Sequence, residues 1–343
     1  MIVVSVIIPV YNADKFLERC INSLLSQTLA SCEFIFVNDG STDSSFSILE
    51  RFQQKDSRVK LVSQENQGVS EARNNGLKIA QGTYIGFVDA DDYVENNFFD
   101  TLYQTAEKHR LDITVCNYFS SQDGTAFTSK APFKEHAVYE SNTIKKDILP
   151  YFISHENINS IWNKLYRMSL IKDNAIIFPK GVALGEDGWF NSLCFAKADK
   201  VYFLSYAGYH YIDVSGSATR NIVGKNYFQR IEQEYENDYS HLQNAYLDTS
   251  RIEALKAHKY ITKVVSLLHE YYNPVNAIEI ETRKFLVKEL LNSKTTIKIF
   301  KDYYKTVFLQ KSKYEQILLF AIKYKLPFII SLVIGYSNKR NKR

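Results

Sequence analysis

The sequence predicts an α/β fold in which a mostly parallel sheet is flanked by helices and followed by a helical C-terminal region. Short β-rich runs begin near residues 3, 33, 59, 84 and 112, with amphipathic stretches between them. That spacing is typical of βαβ units. Val3–Pro9 is apolar almost throughout, as expected for a strand buried on both faces. No glycine lies between Gly224 and Gly335, which favours helices there.

The N-terminal elements follow in order from the apolar pattern. After the strand Val3–Pro9, either Asn12 or Asp14 caps a helix whose apolar residues recur at helical spacing. The further strands are predicted at Glu33–Val37, Val59–Val62, Tyr84–Val88 and Asp112–Asn117. The helices between them are a short one around Ile48–Phe52 and two longer ones, over about 69–80 and 95–109.

The pattern loosens after residue 118 and becomes helical after residue 225. The middle segment predicts helices near 142–153 and 186–197, followed by strands near 200–212. We therefore expect two domains, an α/β domain over 1–222 and a helical region over 223–343.

Charge is distributed unevenly along the 343 residues, although the net charge is only +4. Residues 294–343 contain 12 Lys and Arg but only 2 Asp and Glu. The uninterrupted apolar run Leu326–Tyr336 is too short to span a bilayer. Two interpretations stay open, a C-terminal core helix or a basic, amphipathic anchor at an anionic membrane surface. A nucleic-acid partner is not expected.

Composition and cysteine usage restrict the class of protein. A chain that is 45% hydrophobic and 23% charged is neither a disordered regulator nor a multi-span transporter. Its four cysteines are scattered and form no CxxC pair, which indicates reduced, buried thiols in the cytoplasm. The N-terminus does not have the pattern of a signal peptide.

Polar clusters follow three of the predicted strands. These are Tyr11-Asn12, the run from Asp39 to Asp43, and the run from Asp89 to Asp92. Because ligands of parallel sheets bind beyond the carboxyl ends of the strands, we expect the clusters to converge on one site.

Four motifs in this order resemble family 2 glycosyltransferases, inverting enzymes of the GT-A fold, a Rossmann-like sheet, that use nucleotide-diphosphate sugars. The motifs are Ser5-Val-Ile-Ile-Pro9-Val-Tyr-Asn12, Asn38-Asp-Gly-Ser-Thr-Asp43, Gln67-Gly-Val-Ser-Glu-Ala-Arg73-Asn-Asn-Gly76 and Asp89-Ala-Asp-Asp92. The resemblance is strong over about 3–110, weaker to about 220, and covers nothing beyond 225.

The resemblance implies a donor site for a UDP-sugar. Its nucleotide-sugar-binding residues are Pro9, Tyr11, Asn12, Asp39, Arg73, Asp89, Ala90 and Asp91.

Asp91 is the implied metal ligand, while Asp89 holds the ribose or a metal-bound water. Carboxylates suit Mn²⁺ or Mg²⁺, which offset charge on a departing diphosphate. Taken alone, the acidic run is equally a turn that caps the next helix. Arg73 could reach a phosphate or Asp89, or lie on a helix surface.

A second acidic cluster, Glu186-Asp187, resembles the family's ED motif, which makes Asp187 the base that deprotonates the acceptor. The alternative is an ordinary acidic helix N-terminus. Glu186 and the motif Trp162-Asn163-Lys164 are implied acceptor residues, and Trp162 is as readily a core aromatic.

One position departs from the family pattern. Ile212 stands where members often have an arginine that closes over the diphosphate. His210, Ser215, Ser217 or Arg220 could replace that contact, and His210 is also a weaker candidate metal ligand or a buried structural histidine.

The sequence thus predicts an inverting transferase that moves a sugar from a UDP-sugar to a glycan or a polyprenyl-diphosphate-linked acceptor. The expected setting is capsular or other surface polysaccharide synthesis, at the inner face of a bacterial cell membrane. The alternatives are an inactive nucleotide-sugar-binding or glycan-binding member of the fold and a sugar-1-phosphate nucleotidyltransferase. The sequence does not predict the donor sugar, the linkage or the oligomeric state.

Overall fold

A computed structural model describes residues 1–122, 125–182, 185–212, 226–239, 242, 247–309 and 311–340. The chain forms two compact units, Met1–Ser217 and Ala218–Arg343. The domain boundary predicted between residues 222 and 223 falls within 213–225, outside the described residues, and it stays a prediction.

The first unit is built on one mixed sheet. Its strands are β1 (Val4–Val10), β2 (Cys32–Asp39), β3 (Val59–Gln64), β4 (Tyr84–Phe87), β5 (Tyr93–Val94), β6 (Ile113–Gln122), β7 (Thr125–Ser129), β8 (Val138–Glu140), β9 (Lys164–Arg167) and β10 (Lys200–His210). Its helices are α1 (Asp14–Leu25), α2 (Ser45–Lys55), α3 (Val69–Ile79), α4 (Phe98–His109), α5 (Ser141–Thr143), α6 (Leu149–Ser154), α7 (Met168–Asp173) and α8 (Glu186–Lys197). A π-helical turn, Ile144–Ile148, joins α5 to α6.

The strand order is β3-β2-β1-β4-β9-β6-β10-β5, with β7 on β6 and β8 on β10. The strands β3, β2, β1 and β4 are mutually parallel, as predicted. The sheet becomes mixed where β9 enters between β4 and β6 and runs antiparallel to both. The α/β fold with flanking helices is confirmed, whereas the sheet as a whole is less parallel than predicted. The four-residue β9 is too short for hydrophobic periodicity to indicate it.

Parallel pairing brings the motif loops to one edge of the sheet. Val10 of β1 pairs with Asn38 of β2, so the segments after both strands begin side by side. Ile7 of β1 pairs with Phe87, the last residue of β4, and therefore the acidic run at Asp89 follows at the same edge.

Helices cover both faces of β1. Val6 and Ile8 share one buried cluster with Leu17 of α1. Ile7, on the opposite face, contacts α3 so closely that a Cβ at Gly76 would lie 2.5 Å from its Cγ2 atom. Glycine at position 76 therefore sets the distance between α3 and the sheet.

The second unit is helical, as predicted. Its helices are α9 (Tyr227–Tyr235), α10 (Thr249–Tyr271), α11 (Ile280–Asn292), α12 (Lys294–Phe308), α13 (Lys313–Lys323) and α14 (Pro327–Arg340), with a 3-10 turn at Pro274–Asn276. An apolar core runs through these helices. Glu234 is buried beside two lysines, with its Oε1 atom 2.6 Å from Nζ of Lys259 and its Oε2 atom paired with Lys263.

The last two helices each bury one face and expose apolar side chains on the other. In α14, Ile330 and Ile334 are fully buried, whereas Phe328, Leu332 and Tyr336 are 56–73% exposed. The helix thus contributes to the core and also presents an apolar surface. Within the described ranges, no helix combines the length and the apolarity needed to cross a membrane.

Candidate active site

The loops after β1 and β2 are fixed to each other by Asn12. Its Oδ1 atom accepts a hydrogen bond of 2.8 Å from the backbone N–H of Thr42, and its own N–H donates to Ser41 Oγ at 3.1 Å. Asn12 has a left-handed φ of 48°, which asparagine adopts more readily than most residues. Pro9, near the end of β1, is half-buried, and the Tyr11 ring is 53% exposed at the sheet edge. The arrangement leaves an aromatic surface beside the predicted nucleoside pocket.

Asp39, the last residue of β2, is 3% exposed and holds the start of α3. Its Oδ1 accepts from Gln64 Nε2 at 2.7 Å and from the N–H of Gln67 at 2.8 Å. Its Oδ2 accepts from the N–H of Gly68 at 2.9 Å. A carboxylate offers about four acceptor positions, and three of those of Asp39 are occupied by these contacts.

The acidic run after β4 divides into structural and available carboxylates. Asp92 is 1% exposed and accepts from the Tyr209 hydroxyl at 2.6 Å and from the Ile212 N–H at 2.7 Å. Burial, followed by the charge of Asp89, raises the pKa of Asp92 to about 8. Asp92 therefore ties β10 to the acidic loop. Asp89 and Asp91 retain partial exposure, and Ala90 between them is buried.

Arg73 joins the two acidic clusters. Its guanidinium is 4% exposed and lies 3.2 Å from Asp89 Oδ1, 2.7 Å from Asp187 Oδ1 and 3.4 Å from Glu186 Oε1. Phe178 covers it, with the ring centroid 5.3 Å from the guanidinium carbon. Burial alone would lower the pKa of Arg73, but the three carboxylates outweigh it and hold that pKa above its usual value.

Asp187 lies in the first turn of α8 and its position is fixed by Asn191. Asn191 Nδ2 donates to the Asp187 carbonyl at 3.0 Å and to the Asn159 carbonyl at 2.6 Å. Its Oδ1 accepts from the Tyr166 hydroxyl at 2.8 Å. Desolvation raises the pKa of the Asp187 carboxyl to about 7, with Arg73 opposing the rise. A carboxylate with a pKa near 7 is suited to general-base catalysis.

The motif Trp162-Asn163-Lys164 is buried, with 7%, 5% and 1% exposure. Trp162 stacks on Tyr209 at 4.3 Å, and Asn163 Nδ2 donates to the Cys116 carbonyl at 2.7 Å. Lys164 Nζ donates to the Ile158 carbonyl and to Asn163 Oδ1, both at 2.9 Å, and burial lowers its pKa to about 7. These internal contacts favour a structural role for the motif over the expected contact with an acceptor.

The segment after β10 contributes a backbone contact at Ile212. Ile212 donates its N–H to Asp92 Oδ1 at 2.7 Å, and this contact does not replace the expected contact of an arginine with the diphosphate. His210 is stacked on Tyr93 at 4.2 Å and Phe119 at 4.8 Å, and its Nε2 lies 2.7 Å from Glu95 Oε1. This environment does not favour the weaker prediction of a metal ligand. The other candidates for the diphosphate contact, Ser215, Ser217 and Arg220, lie outside the described residues.

Comparison with known proteins identifies the family. Residues 5–174 match the family model of glycosyl transferase family 2. Residues 5–174, just under half of the chain, are therefore a segment of the glycosyl transferase family 2 type. The uncharacterised glycosyltransferase EpsJ of Bacillus subtilis (strain 168) is 36% identical over 220 residues, which is 63% of this chain and 62% of EpsJ. The alignment thus covers less than two thirds of that relative's own length.

Two solved structures share the fold of this chain. TarS of S. aureus (residues 1–349, in complex with UDP-GlcNAc) has a TM-score of 0.67 and 20% identity, covering 98% of this chain and 92% of that one. A mannosyltransferase of Pyrobaculum calidifontis, PcManGT, in complex with GDP-Man and Mn²⁺, has a TM-score of 0.51 and 13% identity, over 99% and 88% of the two chains. The first likeness confirms the GT-A-like fold.

The residues that could hold a divalent cation are Asp89 and Asp91. Burial, followed by the charge of Asp89, raises the pKa of Asp91, and no ion pair to Asp91 occurs within the described ranges. Two adjacent carboxylates fit Mn²⁺ or Mg²⁺, because these ions commonly take one or two carboxylates and complete their shell with water and substrate phosphates. Among the described residues, no group of three or more His, Cys, Asp or Glu could hold a metal unaided.

Several site residues were not predicted from the sequence. Tyr209 positions Asp92 and also accepts a hydrogen bond from the Asp89 N–H at 3.2 Å. Asn191 orients the first turn of α8, and Phe178 covers Arg73. The aromatic run around Tyr209 was a usable signal, whereas nothing local distinguishes Asn191 or Phe178 from ordinary core residues.

Proposed function

We propose that this chain transfers a sugar from a UDP-sugar, with inversion, to a glycan or lipid-linked oligosaccharide acceptor in bacterial surface polysaccharide synthesis. The observation that carries the proposal is the position of Arg73. It lies between Asp89 of the acidic loop and Asp187 of α8, residues that are 98 positions apart along the chain. A donor diphosphate site and a candidate base are thereby held within the reach of one side chain.

The nucleoside end of the donor is assigned to the edge formed by β1 and β2. Tyr11 offers an exposed ring for stacking on the base, and the fourth acceptor position of Asp39 can bind a uracil N–H. Pro9 and Asn12 shape the loop that separates these two residues. TarS is described in complex with UDP-GlcNAc, which supports a UDP-sugar as the donor class.

The reacting end of the donor is assigned to the exposed side of the Asp89–Arg73–Asp187 cluster, where the Asp89 and Asp187 side chains keep 30% and 23% exposure. Asp187 removes the proton from the acceptor hydroxyl as that oxygen attacks the anomeric carbon on the face opposite the diphosphate. Direct displacement inverts the anomeric configuration. Glu186, 3.4 Å from Arg73, lies beside the base on the proposed acceptor side. We assign no acceptor contact to Trp162, Asn163 or Lys164, because their side chains are buried.

Metal dependence is part of the proposal. Asp91 and Asp89 would hold Mn²⁺ or Mg²⁺, which supplies compensation for the negative charge that develops on the departing diphosphate. Burial and then the charge of Asp89 raise the pKa of Asp91, and a bound cation would offset both effects, which supports this assignment. The Mn²⁺ in the PcManGT complex supports the choice of metal.

A cytoplasmic location at the inner face of the cell membrane completes the proposal. The exposed apolar side chains of α14 and the excess of lysine and arginine after residue 294 support peripheral binding to an anionic leaflet. A polyprenyl-diphosphate-linked acceptor would be presented at such a surface.

A thermal-shift screen tests the donor assignment. UDP-, GDP- and dTDP-sugars are added with Mn²⁺ to the full chain, and the shift of the unfolding midpoint is compared. We expect UDP-sugars to stabilise the protein most, since a ligand that binds only the folded state raises its stability. Stabilisation by GDP-sugars alone, or by none of the donors, would overturn the donor class.

A further inference from the structure

A cleft opens between three helices of the second unit. It has a volume of about 300 Å³. That is the lower end of the range for small-molecule sites. Its walls are apolar and come from α11, α12 and α13: Leu291, Ile297, Phe300 and Ile322. Its remaining lining is polar and consists of Thr296 and three lysines: Lys301 on α12, Lys323 at the end of α13 and Lys325 just after it.

The three lysines are not neutralised within the described part of the chain. None of them forms an ion pair there. Lys325 Nζ donates to the neutral Asn292 Oδ1 at 3.0 Å, and Lys323 Nζ lies 4.0 Å from the Tyr304 ring centroid. Three cations around an apolar cavity favour a ligand that carries an anionic group next to hydrocarbon.

Exposed apolar side chains continue from the cleft along the same helices. Ile297, which lines the cleft, is 43% exposed. Phe320 and Tyr324, which flank Lys323 along the chain, are 44% and 55% exposed. Apolar surface interleaved with lysine is the pattern of proteins that lie on an anionic bilayer.

We propose that this cleft binds the phosphate headgroup of an anionic membrane lipid, with the first carbons of the lipid tails against its apolar wall. The inference rests on the membrane association included in the proposed function but not on the transfer chemistry. A free phosphate ion would gain nothing from Leu291, Ile297 and Phe300, whereas a lipid uses both the wall and the lysines.

Vesicle binding tests the site with two charge-matched variants. The cleft variant carries Lys301→Gln, Lys323→Gln and Lys325→Gln. The control variant carries Lys294→Gln, Lys298→Gln and Lys305→Gln, three exposed lysines of α12 that do not line the cleft. Full-length proteins are sedimented with phosphatidylcholine vesicles with or without 30% phosphatidylglycerol (a chosen composition). We expect the cleft variant to lose at least about tenfold in partitioning and the control less than about threefold.

Equal losses in the two variants would overturn the site, because they would indicate only a diffuse positive surface. So would the absence of wild-type binding to the anionic vesicles. A further variant, Ile297→Trp, fills the cleft without changing charge, and we expect it to lose binding as the cleft variant does. Wild-type partitioning by Ile297→Trp would contradict the proposal.

Competition separates a lipid site from a free phosphate site. Soluble dihexanoyl-phosphatidylglycerol, below its micelle concentration, should displace the wild-type protein from the vesicles at concentrations where inorganic phosphate does not. Equal displacement by phosphate would overturn the lipid assignment. UDP binding by the cleft variant is measured in parallel and should match the wild type. A wild-type chain that binds lipid but no UDP-sugar would contradict the proposed transferase and leave the lipid site intact.

Discussion

Arg73 illustrates how one buried cation organises a largely acidic site. Three carboxylates, Asp89, Glu186 and Asp187, lie within 3.4 Å of its terminal nitrogens. Without it, these groups would repel one another in a partly desolvated cleft. The sequence motif that contains Arg73 indicated that this residue belongs to the site. The partners of Arg73 on α8 are 113 and 114 residues away along the chain. Only the fold brings them together.

The pH dependence of turnover tests the role of Asp187. A general base acts when it is deprotonated, so UDP release should rise as pH increases through about 7, the pKa of Asp187. Because Arg73 lowers that pKa, Arg73→Gln should move the rising limb to higher pH by about 1–3 units. Rates are normalised to folded protein, since the substitution leaves buried carboxylates uncompensated. The control Arg51→Gln removes an exposed ion pair with Glu18 and should leave the limb in place. If the rising part of the pH–rate profile does not move in Arg73→Gln, Arg73 does not lower the pKa of the catalytic base as assigned.

Asp91 is the residue that tests metal dependence. We expect Asp91→Ala to reduce Mn²⁺-dependent UDP release by about 10²-fold or more, because charge on the leaving diphosphate would go uncompensated. Asp173→Ala, a change at an exposed aspartate of α7, is the matched control and should retain activity. Near-normal turnover by Asp91→Ala would refute the metal assignment.

At the scale of elements, local patterns predicted whatever depends on local sequence. The helix near 186–197 and the parallel strands of the first half were predicted correctly from capping and periodicity. The short β9 and its insertion between β4 and β6 could not be predicted, since strand order is set by tertiary packing. The same limit left open whether Trp162 is a core aromatic or an acceptor contact, because its stacking partner Tyr209 is distant in sequence.

Gly76 links helix packing to the site. A methyl group at this position would lie 2.5 Å from Ile7 Cγ2. We expect Gly76→Ala to destabilise the first unit by about 1–3 kcal/mol through overpacking, despite a gain of about 1 kcal/mol in helix propensity. Arg73 lies one turn earlier on α3 and should shift with it, so UDP release should fall as well. Both tryptophans, Trp162 and Trp189, lie in this unit, and urea unfolding followed by their fluorescence measures the effect.

A double-mutant cycle provides the control for this prediction. Ile7→Ala alone should lower the free energy of unfolding by about 2–5 kcal/mol, because it creates a cavity. In the double variant, the methyl group added at position 76 has room. The loss of unfolding free energy should therefore be smaller than the sum of the two single losses by about 0.5–3 kcal/mol. Strictly additive losses would mean that the two residues do not interact as described.

At the scale of the whole molecule, the two units divide the charge and the chemistry. The carboxylates of the site belong to Met1–Ser217, and the excess of lysine and arginine belongs to Ala218–Arg343. Composition predicted this division, but it left open whether the final helix is core or anchor. The structure shows that α14 has one buried and one exposed apolar face, so the two interpretations are compatible.

Substitution on the exposed face of α14 tests membrane association without removing the core. Phe328, Leu332 and Tyr336 are changed together to Ser, while Ile330 and Ile334 stay buried. We expect at least about a tenfold loss of binding to anionic vesicles, since each apolar side chain contributes about 1 kcal/mol or more on burial. The control changes Val275, Ile280 and Phe285, three exposed apolar residues elsewhere in the unit, to Ser. Equal binding by both variants would exclude an anchor on α14.

The central claim is that Asp187 is the base of a UDP-sugar transferase, and UDP release by Asp187→Asn tests it most directly. Wild type, Asp187→Asn and the control Asp173→Asn are assayed with a panel of UDP-sugars and Mn²⁺, and UDP binding is measured by calorimetry. We predict that the wild type and the control release UDP from at least one donor. Asp187→Asn should lose about 10²–10⁴-fold in rate while its UDP affinity is unchanged. Wild-type turnover by Asp187→Asn, or UDP binding without any turnover by the wild type, would contradict the account.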